Sequence, residues 1–184
     1  MARVEFITAD TAEGKAKEAY LDLESRGKLT NMKEALLQDY LTFDAYMGWY
    51  TSWESLVKVI GERAATIYAH AISTTNSCML CSLFFISDLK ALGLDPENFE
   101  TTEEESVLIE LGTQIVKDPT AVSDELFAKL KAKYTDPEIV AIVGFAGQMI
   151  ATNNFNSVLR IDPDERLLPI KDEFKPAQWR KDIK

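Results

Sequence analysis

Several residue types are scarce in this sequence, and each shortage excludes something. The 184 residues include two cysteines and one histidine. Two cysteines cannot make a disulfide framework, so they are either buried small hydrophobes or a redox pair. A structural zinc site wants four ligands, which two Cys and a single His do not supply. No metal and no cofactor is therefore expected. Eight glycines and six prolines fall well below the roughly 12% average share of these two residues, and so few chain breakers favour helices. Long apolar runs are missing as well. The longest, Cys78–Ile86 and Ile139–Gly147, fall short of the roughly 20 residues a membrane-spanning helix needs. The opening stretch Met1–Ile7 passes at once into Thr8, Ala9 and Asp10 and lacks the apolar core of a signal peptide. Basic clusters are absent. With 20 Lys+Arg against 30 Asp+Glu the net charge is −10, the wrong sign for neutralising phosphates. Nucleic acid and membrane are thus excluded as partners, and the chain reads as soluble and cytoplasmic. Neither a Gly-x-Ser-x-Gly elbow nor a Gly-rich phosphate loop occurs.

What is present is helical patterning. Apolar residues make up 46% and charged residues 27%, an ordinary globular composition. Asp10 or Thr11 can cap a helix that stops at Gly27. Asn31 with Glu34 is a capping-box pattern, opening a segment with Leu36, Leu37, Tyr40, Leu41 and Phe43 at helical spacing. Gly48 is read as an interruption, followed by helices over 52–60 and 62–73. Thr74–Ser77 is a turn of capping residues. Helices are then expected over 78–92, stopped by Gly93, over 101–117, over 123–133, and from Asp136-Pro137 towards Asn156. No segment alternates with period two, so no strand is assigned. The body, 1–161, reads as one helical domain. Residues 162–184 read as a Pro-broken tail with large apolar anchors, able to lie on its own domain or on a partner subunit.

The chemically loaded feature is Cys78-Met79-Leu80-Cys81. Helix positions three apart share a face, so the two sulfurs can meet. The preceding turn puts Cys78 at the helix start, where unpaired N–H groups and the helix dipole stabilise a thiolate. The bland alternative is a pair of ordinary buried cysteines. The apolar neighbours Phe84, Phe85 and Ile86 would raise a thiol pKa and oppose the helix-end effect. A thioredoxin domain does not fit, because no βαβ pattern surrounds the motif.

The stretch Glu62–Cys81, followed by Asp88–Gly93, resembles the carboxymuconolactone decarboxylase family, and more narrowly its alkylhydroperoxidase-D-like, peroxidase-related branch. The helix 101–118 with its acidic start, the segment Val122–Phe127, Thr135–Val140 and the Asn-rich Asn153–Asn156 are similar to the family's later elements. The likeness covers roughly residues 30 to 160. It implies an all-α orthogonal helical bundle that assembles as a homo-oligomer. It also implies a redox-active Cys78/Cys81 pair that reduces a small peroxide or disulfide, with a thiol or lipoyl-type electron donor. The family pattern places a Glu twelve residues before the first Cys and a His four after the second, as a proton relay. This sequence holds Thr66 and Phe85 there. His70, four residues after Thr66, is the candidate substitute base, with Glu62 to orient it. The plainer reading of His70 is a partly buried ring bonded to a neighbour.

Other clusters are assigned structural roles. Glu103–Glu105 suit the positive end of a helix dipole. Tyr46, Trp49, Tyr50 and Trp53 read as core or subunit interface rather than as a substrate pocket. Asn153, Asn154 and Asn156 read as helix termination. The function expected is thiol-based oxidoreduction. The alternatives are a catalytically degenerate homologue, a decarboxylase-like enzyme without thiol chemistry, and a redox sensor acting through the tail.

Overall fold

A computed structural model describes residues 1–179. Among them there is no strand. The helices are α1 (Gly14–Ser25), α2 (Asn31–Leu36), α3 (Tyr40–Thr75), α4 (Met79–Ala91), α5 (Glu103–Lys117), α6 (Asp124–Lys131) and α7 (Asp136–Leu159), with 3-10 turns at Pro119–Ala121 and Glu165–Glu173. No helix of the described residues is long and apolar enough to cross a membrane.

Local chemistry explains most boundaries. Thr30, Asp39 and Ser123 each accept a backbone N–H at the start of their helix. Thr102 and Glu105 form a full capping box on α5, which satisfies two otherwise orphaned donors. The N–H and hydroxyl of Thr135 both donate to Glu138 at 2.8 Å at the start of α7. Gly27 and Gly93 have φ of 62° and 76° and close α1 and α4 in the left-handed conformation that glycine adopts cheaply.

The structure corrects the reading of Gly48. α3 runs straight through it, and the break lies at Gly61, with φ 79° and ψ 158°. Tolerating one glycine inside a helix costs only about 1 kcal/mol, whereas the backbone of Gly61 would be strained for any residue with a Cβ. The first helix also starts later than expected. Thr8 and Thr11 bond one another in a separate turn, and Glu13 stands at the helix start.

The central core gathers α3, α4, α5 and α7 around Tyr68, Leu83, Leu108 and Phe145. α3 and α5 approach closely at Gly112, where a Cβ would lie 2.9 Å from both Ile72 Cγ1 and Tyr68 Cε2. A smaller cluster joins α1, α2 and the start of α3 through Tyr20, Leu36, Leu37 and Phe43. Residues 162–179 of the tail lie on their own domain. Leu167 is fully buried in the central core. Lys90 pairs with Glu173 at 2.6 Å. The Ala177 N–H donates to Ser77 Oγ at 2.7 Å, and Trp179 Nε1 donates to the Thr75 carbonyl at 3.0 Å. The rest of the expected tail, 180–184, lies outside the described residues.

Candidate functional site

Cys78 and Cys81 are both buried and not joined in a disulfide. Cys78 does not begin α4 but caps it, in an extended conformation, directly after Ser77 with its positive φ of 60°. Its sulfur accepts a hydrogen bond from the Cys81 thiol, which pulls the Cys78 pKa down. Burial opposes this, while the N–H groups of Cys81 and Leu80 and the Ser157 side chain add to it. The balance is a lowered Cys78 pKa, the direction expected when charge sits at a helix start. Cys81 shifts the other way. Donating to Cys78 raises its pKa well above the ordinary thiol value, burial and the Cys78 charge raise it further, and Asn156 partly offsets them. The pair therefore behaves as one group that gives up a first proton readily and holds the second.

α7 supplies both supports. Asn156 Nδ2 donates to Cys81 Sγ at 3.3 Å and to Met32 Sδ at 3.4 Å, and the next residue, Ser157, addresses Cys78. Asn156 is only 3% exposed, and its Oδ1 has no hydrogen-bond partner. The asparagines thus do not terminate the helix, as read from sequence. They lie within α7, which continues to Leu159. Asn153 and Asn156 are buried, with Asn153 facing Ser73 at 3.4 Å. Three asparagines in four positions of an otherwise apolar helix were the available signal, since asparagine is a poor helix former and is rarely buried without purpose.

Cys81 also forms part of the wall of a cavity of about 110 Å³. Tyr46, Trp49, Tyr50, Phe84 and Phe85 give it an aromatic lining, and Lys33, Asp164 and Asn156 add polar groups. The aromatic cluster read from sequence as core or interface is therefore a pocket wall as well. Trp49 and Trp53 stack at 5.5 Å, nearly parallel, and Phe145 lies 5.7 Å from each. Cys78 does not line the cavity and is 1% exposed, against 6% for Cys81.

The two relay positions hold structural residues. The Thr66 hydroxyl donates to the Glu62 carbonyl of its own helix at 2.9 Å. Phe85 is buried, with its ring 6.1 Å from Trp53 and 5.8 Å from Phe84. His70 is not brought into the thiol network. Burial alone moves its pKa, down to about 4, and it is not among the groups acting on either sulfur. No group of three or more His, Cys, Asp or Glu side chains among the described residues could hold a metal ion.

The fold matches a known class. The chain superposes on the crystal structure of an uncharacterized peroxidase-related protein from Silicibacter sp. TM1040, with a TM-score of 0.73, covering 90% of this chain and 93% of that one. Sequence identity is 14%, so the likeness is one of fold: an all-helical bundle. No family model matches the chain, and no curated protein does.

Proposed function

We propose that this protein is a thiol oxidoreductase, in which a peroxide or disulfide enters the aromatic cavity and meets Cys81 first. The observation that carries the reading is a pair of free cysteines whose pKa values are pushed in opposite directions, with one of the two facing a cavity. The peroxidase-related description of the structural neighbour agrees with it.

The pair supplies its own base, which fits the loss of the relay at Thr66 and Phe85. As Cys81 attacks, its proton passes to Cys78, whose lowered pKa makes it the first of the two to ionise and so to serve as the base. Asn156 Nδ2 stabilises the charge arriving on Cys81 Sγ. With a hydroperoxide, Cys81 takes the terminal oxygen as a sulfenic acid, and the leaving alkoxide takes the proton now on Cys78 and departs as the alcohol. The Cys78 thiolate then attacks that sulfur, forming the Cys78–Cys81 disulfide, and the departing hydroxide takes a proton from solvent to leave as water. With a disulfide substrate, a mixed disulfide on Cys81 is resolved by Cys78, and both halves leave as thiols. An external dithiol, of lipoyl type, returns the pair to the reduced state. His70 stands outside this scheme.

Treating the native protein with modest peroxide excess, counting free thiols and mapping the product by mass tests the reading. Loss of two thiols with a Cys78–Cys81 linkage is expected. Two surviving thiols would replace it with a non-catalytic helical protein that retains the fold.

A further inference from the structure

Lys33 is a buried cation in the cavity wall. It is 4% exposed. Its Nζ donates to the Lys28 carbonyl at 2.6 Å and lies 5.1 Å from the centre of the Tyr50 ring. The ion pairs among the described residues do not include it. An ammonium has three donors, and a buried charge is normally matched by an opposite one. One carbonyl and one ring face satisfy only part of that need. The same wall carries a second donor without an acceptor, the buried Nε1 of Trp49. Apolar Met47, Leu80, Phe84 and Met149 line the same cavity as these donors and Cys81.

Asp164 is the carboxylate of this wall. Its Oδ1 is held by the Asn31 N–H at 2.8 Å, and it makes no ion pair with Lys33. Its charge reaches far enough to help raise the Glu34 pKa, behind the larger effect of burial. That local acidity disfavours a dianion such as a phosphate ester and leaves room for a single negative charge beside Lys33.

We propose that the cavity takes an apolar molecule bearing one carboxylate, with the carboxylate on the Lys33 ammonium and the chain lying over the aromatic wall towards Cys81. The substrate class is then a hydroperoxide of a fatty-acid-like carboxylic acid, reduced to the hydroxy acid by the balanced steps above. This substrate assignment rests on the thiol reading, but the binding site itself does not.

Calorimetric titration of the reduced protein with decanoate and with 1-decanol, both below aggregation, separates head group from chain. Decanoate should bind roughly tenfold or more tightly than 1-decanol, as expected for a charge-assisted hydrogen bond. Lys33→Met should abolish the preference and keep decanol binding. Asp164→Asn, which retains an oxygen for the Asn31 N–H, should strengthen decanoate binding. Equal affinity of the two ligands in the natural protein would overturn the proposal, as would a preference that survives Lys33→Met. If Lys33→Met does not fold, unchanged decanoate affinity in Asp164→Asn overturns it. Neither titration needs turnover. Decanoate bound by a protein whose thiols survive peroxide would refute the redox reading and leave this site standing. Thiols that oxidise in a protein indifferent to decanoate would do the reverse.

Discussion

Replacing Asn156 with leucine should make the protein more stable and less reactive at once. The amide is buried, and its Oδ1 is unpartnered. Leaving such an acceptor dry costs about 1–3 kcal/mol. What the amide gains in return is small: two contacts to sulfur, at 3.3 and 3.4 Å, each worth about 0.5 kcal/mol at the weak end of the hydrogen-bond range. Leucine keeps the number and branching of the side-chain heavy atoms without polar atoms, and the adjoining cavity gives its bulkier methyl groups room. The net change is therefore a gain of about 0–2 kcal/mol, or a few degrees in Tm at about 2–4 °C per kcal/mol for a chain of this size. Reactivity moves the other way. The Nδ2 donor lowers the Cys81 pKa, so its loss makes the cavity-facing thiolate scarcer. A donor to a charged acceptor is worth about 1.5 kcal/mol, which corresponds to roughly tenfold slower thiol oxidation at pH 7. Urea unfolding and the rate of thiol loss under peroxide read the two quantities independently. A variant destabilised by more than about 1 kcal/mol with an unchanged oxidation rate would make Asn156 a packing residue and refute the reasoning.

Two further outcomes follow from charges elsewhere. Arg63 Nε donates to Glu105 Oε1 at 2.7 Å and ties α5 to α3 just past the Gly61 kink. Burial raises the Glu105 pKa, but the bonds from Arg63 and Thr102 outweigh it and leave it lowered. The stability this contributes is present above the ordinary carboxylate pKa and fades as the solution is acidified through the lowered one. Arg63→Met should cost about 1–3 kcal/mol, less than a fully buried pair because the Arg63 side chain is 42% exposed, and should flatten the acid limb of a stability–pH curve. His70 titrates near 4 in the folded chain against 6.5 ordinarily. The unfolded chain thus takes up a proton first, and stability falls as pH drops from about 6.5 towards 4, by about 2–3 kcal/mol. His70→Gln should remove that slope in urea titrations at pH 7 and pH 5 while leaving the thiol titration unmoved; a displaced thiol titration would restore His70 as the base.

The helices were legible because capping chemistry is local. Ser123, Thr102 with Glu105, and Thr135 with Glu138 announce their helices within four residues. The boundary read between 52–60 and 62–73 falls at Gly61, where α3 breaks, but Gly48 reads as a break too because composition does not reveal which glycine will carry a positive φ. The CxxC was legible as a pair, since three-residue spacing fixes proximity. Asn156, Ser157 and Lys33 were not, because each reaches the site across long stretches of sequence. Asn156 meets Cys81 from 75 residues away, and the only local signal is its place in an asparagine-rich stretch of an apolar helix. Lys33 carries no local signal of burial; the fold of α2 brings its Nζ to the Tyr50 ring.

The distribution of unsatisfied polar atoms shows where this fold departs from its own rules. Four buried side-chain atoms of the described residues lack a partner: Trp49 Nε1, Ser82 Oγ, Asn153 Nδ2 and Asn156 Oδ1. Trp49 and Asn156 line the cavity, Ser82 follows Cys81 in sequence, and Asn153 lies one helical turn before Asn156 in α7. A sequence selected only for stability would replace such groups with apolar ones, because each leaves a desolvated dipole unpaired. Two of the four line the cavity that Cys81 faces, as the proposed thiol site would require. The same distribution weighs against a pair of cysteines that merely fill space, since a purely apolar core would have no use for an amide aimed at a sulfur.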